Sequence, residues 1–159
     1  MKKLFLLACL SFIFFSHNAM AQKDKAAKPV DKQGKKESNI PYTIAKNYFV
    51  KNTYVPGSLK NPKIESEAAF NDLFGAAAYM GADGKPTAID FSKEYVIAVI
   101  PNATSNAFTL TPVSLQKKGV NILLSYSYKE GEKLTYSSQP SLLVVVDKKY
   151  AGTVKLVKK

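Results

Sequence analysis

Tyr95-Val96-Ile97-Ala98-Val99-Ile100 and Leu142-Leu143-Val144-Val145-Val146 are apolar runs with no alternation of wet and dry positions. A strand with one face in water alternates apolar and polar side chains, so runs like these predict central strands covered on both sides. Between them, Val120-Asn121-Ile122-Leu123-Leu124-Ser125-Tyr126-Ser127-Tyr128 sets Val120, Ile122, Leu124, Tyr126 and Tyr128 on one face and Asn121, Ser125 and Ser127 on the other, the pattern of a half-buried antiparallel strand. In Phe108–Leu115 the apolar phase slips from Phe108 and Leu110 to Val113 and Leu115, with Pro112 at the slip, which predicts a bulge or an edge position. Lys117-Lys118-Gly119 and Glu130-Gly131-Glu132 read as turns, and Lys148–Gly152 leads to a last strand, Thr153–Val157.

Upstream, Tyr42–Tyr54 has the β-branched and aromatic mixture of an opening strand, ended by Val55-Pro56-Gly57-Ser58. Ile64–Gly75 carries helix grammar: Ser66 as N-cap, Glu67 in the first turn, Phe70, Leu73 and Phe74 on one face, and Gly75 past the end. Met80–Pro86 has loop composition. The expectation is a single α+β or mainly-β domain over 40–159, an antiparallel meander or small sandwich with one short helix.

The chain has 159 residues, with 23 basic residues, all Lys, against 12 acidic ones; Arg and Trp are absent. Met1–Ala21 has the layout of a secretory signal, with Lys2-Lys3, an apolar run of 12 residues from Leu4 to Phe15, and small residues at Ala19 and Ala21. A membrane span needs about 20 apolar residues, so cleavage between Ala21 and Gln22 is expected, giving a periplasmic or secreted protein. The single Cys9 and single His17 would leave with the signal. The exported chain would then keep no Cys, His, Arg or Trp and would rely on packing without disulfides. Gln22–Asn39 holds six Lys and three acids with Val30 as its one large aliphatic residue, too little apolar area to offset its ordering entropy. It reads as a disordered Lys-rich leader, a solvated spacer before anything else, whose charge also suits weak contact with an anionic envelope surface.

This inventory weighs against catalysis. Nucleophile-and-base chemistry usually recruits His to take the proton. Ser92-Lys93 is a nominal alternative, but Asp90-Phe91-Ser92-Lys93-Glu94 reads as a polar turn in which Asp90 accepts backbone N–H groups. Ser114-Leu115-Gln116-Lys117 is a nominal Ser-x-x-Lys on a strand with no companion motif. The acids fall in turns or on the helix surface, many beside a Lys, and Asp83-Gly84 alone is no calcium loop. The expectation is a non-enzymatic protein with no catalytic residue, metal or cofactor. Nucleic acid is not the expected partner either. Without the signal, 21 Lys against 12 acids leave +9, but there is no Arg for bidentate contacts and the Lys are spread through turns and termini.

Recognition through loops remains. If the two apolar strands are antiparallel neighbours, Pro101–Ala107 after the first and Tyr136–Pro140 before the second meet at one edge of the domain. Asn102, Thr104, Ser105, Asn106, Phe108, Ser138, Gln139 and Pro140 are the candidate partner-binding residues. The expected function is that of an exported binding protein with a protein partner; the alternative is an envelope-associated structural protein tethered by its basic tail.

At these segments the sequence resembles the PrcB C-terminal-domain family of small exported bacterial proteins. The matching pieces are Ile64–Gly75, Asp90–Glu94 before an apolar strand, Thr104–Phe108, and Gln139-Pro140 before the next apolar strand. Where that family typically has Thr-Gly-Gly-Tyr, this chain has Thr104-Ser105-Asn106-Ala107-Phe108. A looser similarity runs to chagasin-like protease inhibitors. The resemblance implies a protease-associated or inhibitor-like role for the protein partner contact.

Overall fold

The computed structural model describes residues 38–77, 80 and 84–159. The expected export signal and residues 22–37 of the expected leader lie outside them. In chain order the elements are β1 (Ser38–Asn39), β2 (Thr43–Ile44), β3 (Tyr48–Val50), β4 (Lys63–Ile64), α1 (Glu67–Leu73), β5 (Phe74–Ala76), β6 (Glu94–Val99), β7 (Thr104–Lys118), β8 (Asn121–Ser138), β9 (Leu142–Asp147) and β10 (Thr153–Lys158). Strands dominate and α1 is short, which makes a mainly-β sandwich with one helix. Ser38 and Asn39, two residues before the expected domain boundary, already pair with β7 as β1, and the next residue, Ile40, is buried.

The two apolar runs are β6 and β9, antiparallel neighbours at the centre of a sheet ordered β2-β9-β6-β4. Their lack of alternation has a direct cause. Tyr95, Ile97, Val99, Leu142, Val144 and Val146 face a core shared with Leu115, Ile122, Leu124 and Val154 of the other large sheet, ordered β1-β7-β8-β10. Val96, Ala98, Leu143 and Val145 point the opposite way, into a second core with Val50, Ile64, Phe70 and Phe74. Each strand thus serves two cores in turn, and neither of its faces reaches water.

The second core is capped by α1 and the small β3-β5 sheet. Ser66 is the N-cap, its Oγ accepting from Ala69 N–H at 3.3 Å. Phe70 is the buried helix residue; its ring meets Tyr48 edge-on at 5.0 Å and Phe74 at 5.0 Å.

The meander expectation is corrected. Consecutive strands β6 and β7 lie in different sheets, β6 pairs instead with β9, and β10 runs parallel to β8 rather than antiparallel to β9. A strand buried on two faces finds its best neighbour in another such strand, and β7, with a polar face, cannot supply one. The expected opening strand is two pieces, β2 and β3, separated where Asn47 takes a left-handed φ of 63°. Gly75 is not a helix cap: α1 ends in an extended Phe74, and Phe74–Ala76 pair with Tyr48–Val50. Glu130-Gly131-Glu132 is not a turn but lies inside β8. Val120, expected on the buried face, is 75% exposed in the two-residue turn with Gly119, whose φ is 63°. Ser125, expected on the wet face, is buried because β8 has neighbours on both sides, Ser114 on β7 and Val157 on β10.

The slip in Phe108–Leu115 is a bulge. Pro112 pairs with Tyr126 and Ser114 with Ser125, which leaves Val113 as the extra residue.

Candidate functional site

β7 and β8 outrun their neighbours. β10 ends opposite Tyr126 and β1 touches β7 at Gln116 and Lys117, so beyond the Pro112–Tyr126 pair the two strands continue as a two-stranded ribbon. Two further register shifts bend it: Asn106 faces Lys133, Phe108 faces Glu130, and Thr104 faces Ser138, so Leu134–Ser137 oppose Ser105 alone. Extra residues on one strand curve the pair, and the ribbon folds back to join the ends of β6 and β9.

There the two segments singled out in the sequence meet. The Gln139 side-chain amide donates to the Pro101 carbonyl, and the Ser105 and Ser137 hydroxyls are 2.6 Å apart. The structure therefore brings together Asn102, Thr104, Ser105, Asn106, Ser138 and Gln139. Their setting differs from the expected loops. Pro101–Ala103 is irregular, but Thr104 onward belongs to β7 and Tyr136–Ser138 to β8. Asn102 is exposed, whereas Thr104, Ser105, Asn106, Ser138 and Gln139 are half-buried. Phe108 lies further along the ribbon, 38% exposed, with its ring 6.4 Å from Tyr128. Pro140 is buried with almost no exposed surface, so it shapes the turn into β9 and has no face for a partner.

Residues that the sequence reading assigned elsewhere complete the site. The Glu130 carboxylate accepts from the Tyr128 hydroxyl at 2.7 Å and from Asn106 Nδ2 at 3.0 Å. The Tyr128 bond first, then those of Asn106 and Thr104, hold the Glu130 carboxyl below the usual carboxylate range, with the Lys158 charge adding to them. Tyr128 moves the other way, its hydroxyl raised by burial and by the same carboxylate. Both shifts favour a phenol donating to an ionised acid. Lys158 Nζ lies 5.0 Å from the centre of the Tyr128 ring. Alternation carries the signal for this cluster: Tyr126, Tyr128 and Glu130 stay on one face if the strand is continued through the supposed turn.

Clefts flank the Pro101–Ala103 segment. One of about 280 Å³ is lined by Asn102, Tyr126, Tyr128, Glu130 and Lys158; another of about 280 Å³ by Lys51, Asn52, Tyr54, Ser137 and Gln139. Chemically the cluster is a hydrogen-bonding surface. A carboxylate held ionised is a poor general acid, and the partner of the Ser105 hydroxyl is another hydroxyl, not a base. Among the described residues no group of three or more His, Cys, Asp or Glu is placed to hold a metal ion.

The Asp90–Glu94 segment is a turn as expected, with Asp90 Oδ1 accepting from Ser92 N–H at 3.0 Å and Oδ2 from Lys93 Nζ at 2.8 Å. Lys93 is thereby committed to a carboxylate rather than to activating Ser92. Comparison of the chain with protein-family models, with curated proteins and with solved structures finds no match.

Proposed function

We propose that the protein is a binding module that grips a protein partner with the ribbon end of its sandwich. The observation that carries this reading is the convergence of Pro101–Ala103, the start of β7 and the end of β8 on one rim, cross-linked by Gln139 to the Pro101 carbonyl and by Asn106 and Tyr128 to Glu130. A rim fixed by hydrogen bonds before contact loses little freedom on binding, which is the usual route from modest area to useful affinity. Exposed Asn102 and Tyr136 stand on it as contact groups, Tyr136 being 62% exposed. A tyrosine with most of its ring in water and one polar end suits a protein interface. The resemblance to PrcB C-terminal domains names the kind of partner, a protease that is inhibited or accompanied outside the cytoplasm.

The test is capture from an envelope extract by the immobilised protein, assayed as protease recovered. Wild type should retain a protease that the Asn102→Arg and Tyr136→Ala variants lose. Equal recovery by all three, with folding verified by circular dichroism, would remove the ribbon end from the interface.

A further inference from the structure

Among the described residues β10 is an edge strand, paired with β8 on one side alone. The pairing is parallel, with Thr153 N–H bonded to the Val120 carbonyl and Lys159 N–H to the Tyr126 carbonyl. Backbone groups alternate sides along a strand, so Thr153, Lys155, Val157 and Lys159 spend theirs on β8. The N–H and C=O groups of Val154, Leu156 and Lys158 point the other way, off the edge of the sheet.

That edge is bordered by a groove of about 560 Å³. Val154 and Leu156 form one wall, Ile100 lies on the floor, and Leu59, Lys60 and Pro62 form the far wall. The far wall is anchored, since the Pro62 carbonyl accepts from Ala98 N–H at 2.9 Å on β6. Leu156 remains 37% exposed beside it. An unpaired ladder next to an apolar trench is the arrangement in which an added strand gains main-chain hydrogen bonds and side-chain pockets together.

Charge selects the occupant. Among the described residues no acidic one lines the groove, Lys60 stands on its far wall, and Lys155 and, just past the strand end, Lys159 lie on the outer face that Thr153 and Val157 share. A second copy of the chain is a poor match. Antiparallel pairing of two β10 strands centred on Leu156 makes the copy's Lys155 and Lys159 diagonal neighbours of Lys155, and like charges at that spacing repel. We propose that the β10 edge and its groove are a strand-addition site for an extended segment of another protein in which apolar side chains alternate with acidic ones. The apolar set covers Val154, Leu156 and Ile100, and the acidic set meets Lys155 and Lys159. This site stands independently of the ribbon-end contact, although the two adjoin at Pro101 and Asn102.

The test is fluorescence anisotropy with the whole protein and a short labelled peptide alternating glutamate and valine. The peptide should bind, and a lysine-valine analogue should bind weaker by on the order of tenfold or more. N-methylation of alternate residues separates strand addition from loose adhesion. Methylating the set whose N–H groups face β10 should weaken binding by about tenfold for each bond lost, and methylating the other set should leave it unchanged. Lys155→Glu, at a side chain outside the core, should remove most of the charge preference, and Lys155→Glu with Lys159→Glu should reverse it. Tyr136→Ala, the variant expected to lose the ribbon-end contact, lies outside the groove and should leave peptide binding intact, so loss of the ribbon-end contact and loss of this site are told apart. Absence of peptide binding, equal binding of the lysine analogue, or indifference to which set is methylated would overturn the proposal. So would dimerisation of the free protein in sedimentation that competes with the peptide.

Discussion

Two glycines show how a single missing side chain can matter for different reasons. At Gly75 an added Cβ would fall 2.4 Å from Phe49 Cζ, but that atom is the end of a ring 48% exposed, opposite Gly75 in the β3–β5 pair. The ring can swing outward, so Gly75→Ala should cost at most about 1 kcal/mol. At Gly152 the same atom would fall 2.7 Å from the Val120 carbonyl oxygen and 2.9 Å from Ile122 Cγ1, a backbone group and a fully buried side chain. Neither can yield without moving the start of β8, and Gly152→Ala should cost about 1–3 kcal/mol by overpacking. Urea unfolding of the two variants should place Gly152→Ala clearly below Gly75→Ala; the reverse order would mean that the β10 approach is looser than its contacts indicate. Asp90 gives a second test at this scale. Its bonds to Lys93 first and then to Ser92 depress its pKa from 3.8 to about 2. A depressed pKa means that the fold prefers the carboxylate, so the stabilisation is complete above pH 3.8 and is lost as pH falls towards about 2. The stability gap between wild type and Asp90→Asn should therefore close over that acid interval. Because the pair is exposed, it should also shrink with added salt. A gap unchanged across the interval would show that the turn is held by its backbone bonds alone.

At the scale of the element, the β7 bulge makes a prediction that substitutions cannot. Leu110 and Leu115 both pack on the sandwich core although they are five positions apart, because Val113 adds the residue that restores phase. Removing Val113 leaves Leu110, Pro112 and Leu115 on one side of an uninterrupted ladder, so the deletion variant should still fold cooperatively, with a straighter β7. Removing Leu123 should be ruinous, because Ile122 and Leu124, both fully buried, would then face opposite sides of β8. Thermal unfolding followed by circular dichroism distinguishes them: a sharp transition is expected for the Val113 deletion and none for the Leu123 deletion. The bulge was legible in the sequence because Pro112 and the phase slip coincide. The N-terminus of α1 was legible through Ser66, but its end was not. Gly75 has the composition of a cap, and the β3 partner that draws Phe74 into a strand is remote in sequence, so local grammar could not reveal it. The candidate site was half legible for the same reason. Asn102, Ser105 and Gln139 followed from where β6 and β9 end, whereas Tyr128 and Glu130 were hidden by a Gly131 that resembles a turn yet sits within a long strand.

For the molecule as a whole, the central sheet separates two cores that share β6 and β9 but not their facing residues. Strand identity was readable from the apolar runs; sheet membership was not, since it depends on which of two buried strands meets the other across 42 intervening residues between Val99 and Leu142. The layered arrangement has an energetic consequence. Phe70 and Phe74 belong to the core under α1, with ring centres 5.0 Å apart, while Ile122 belongs to the core between the large sheets. Substitutions in one core should not alter the packing of residues in the other, because the backbone of β6 and β9 stands between them. Phe70→Leu combined with Ile122→Val should therefore destabilise by the sum of the single changes, to within about 0.5 kcal/mol, as expected for sites without shared partners. Phe70→Leu combined with Phe74→Leu should depart from additivity by about 0.5 kcal/mol or more, since each ring is part of the other's surroundings. Denaturant unfolding of the five variants and wild type measures both cycles at once. If the cross-core pair proved coupled as strongly as the Phe70–Phe74 pair, the central sheet would be transmitting strain between its faces, and a partner docking on the ribbon end could be felt at the helix.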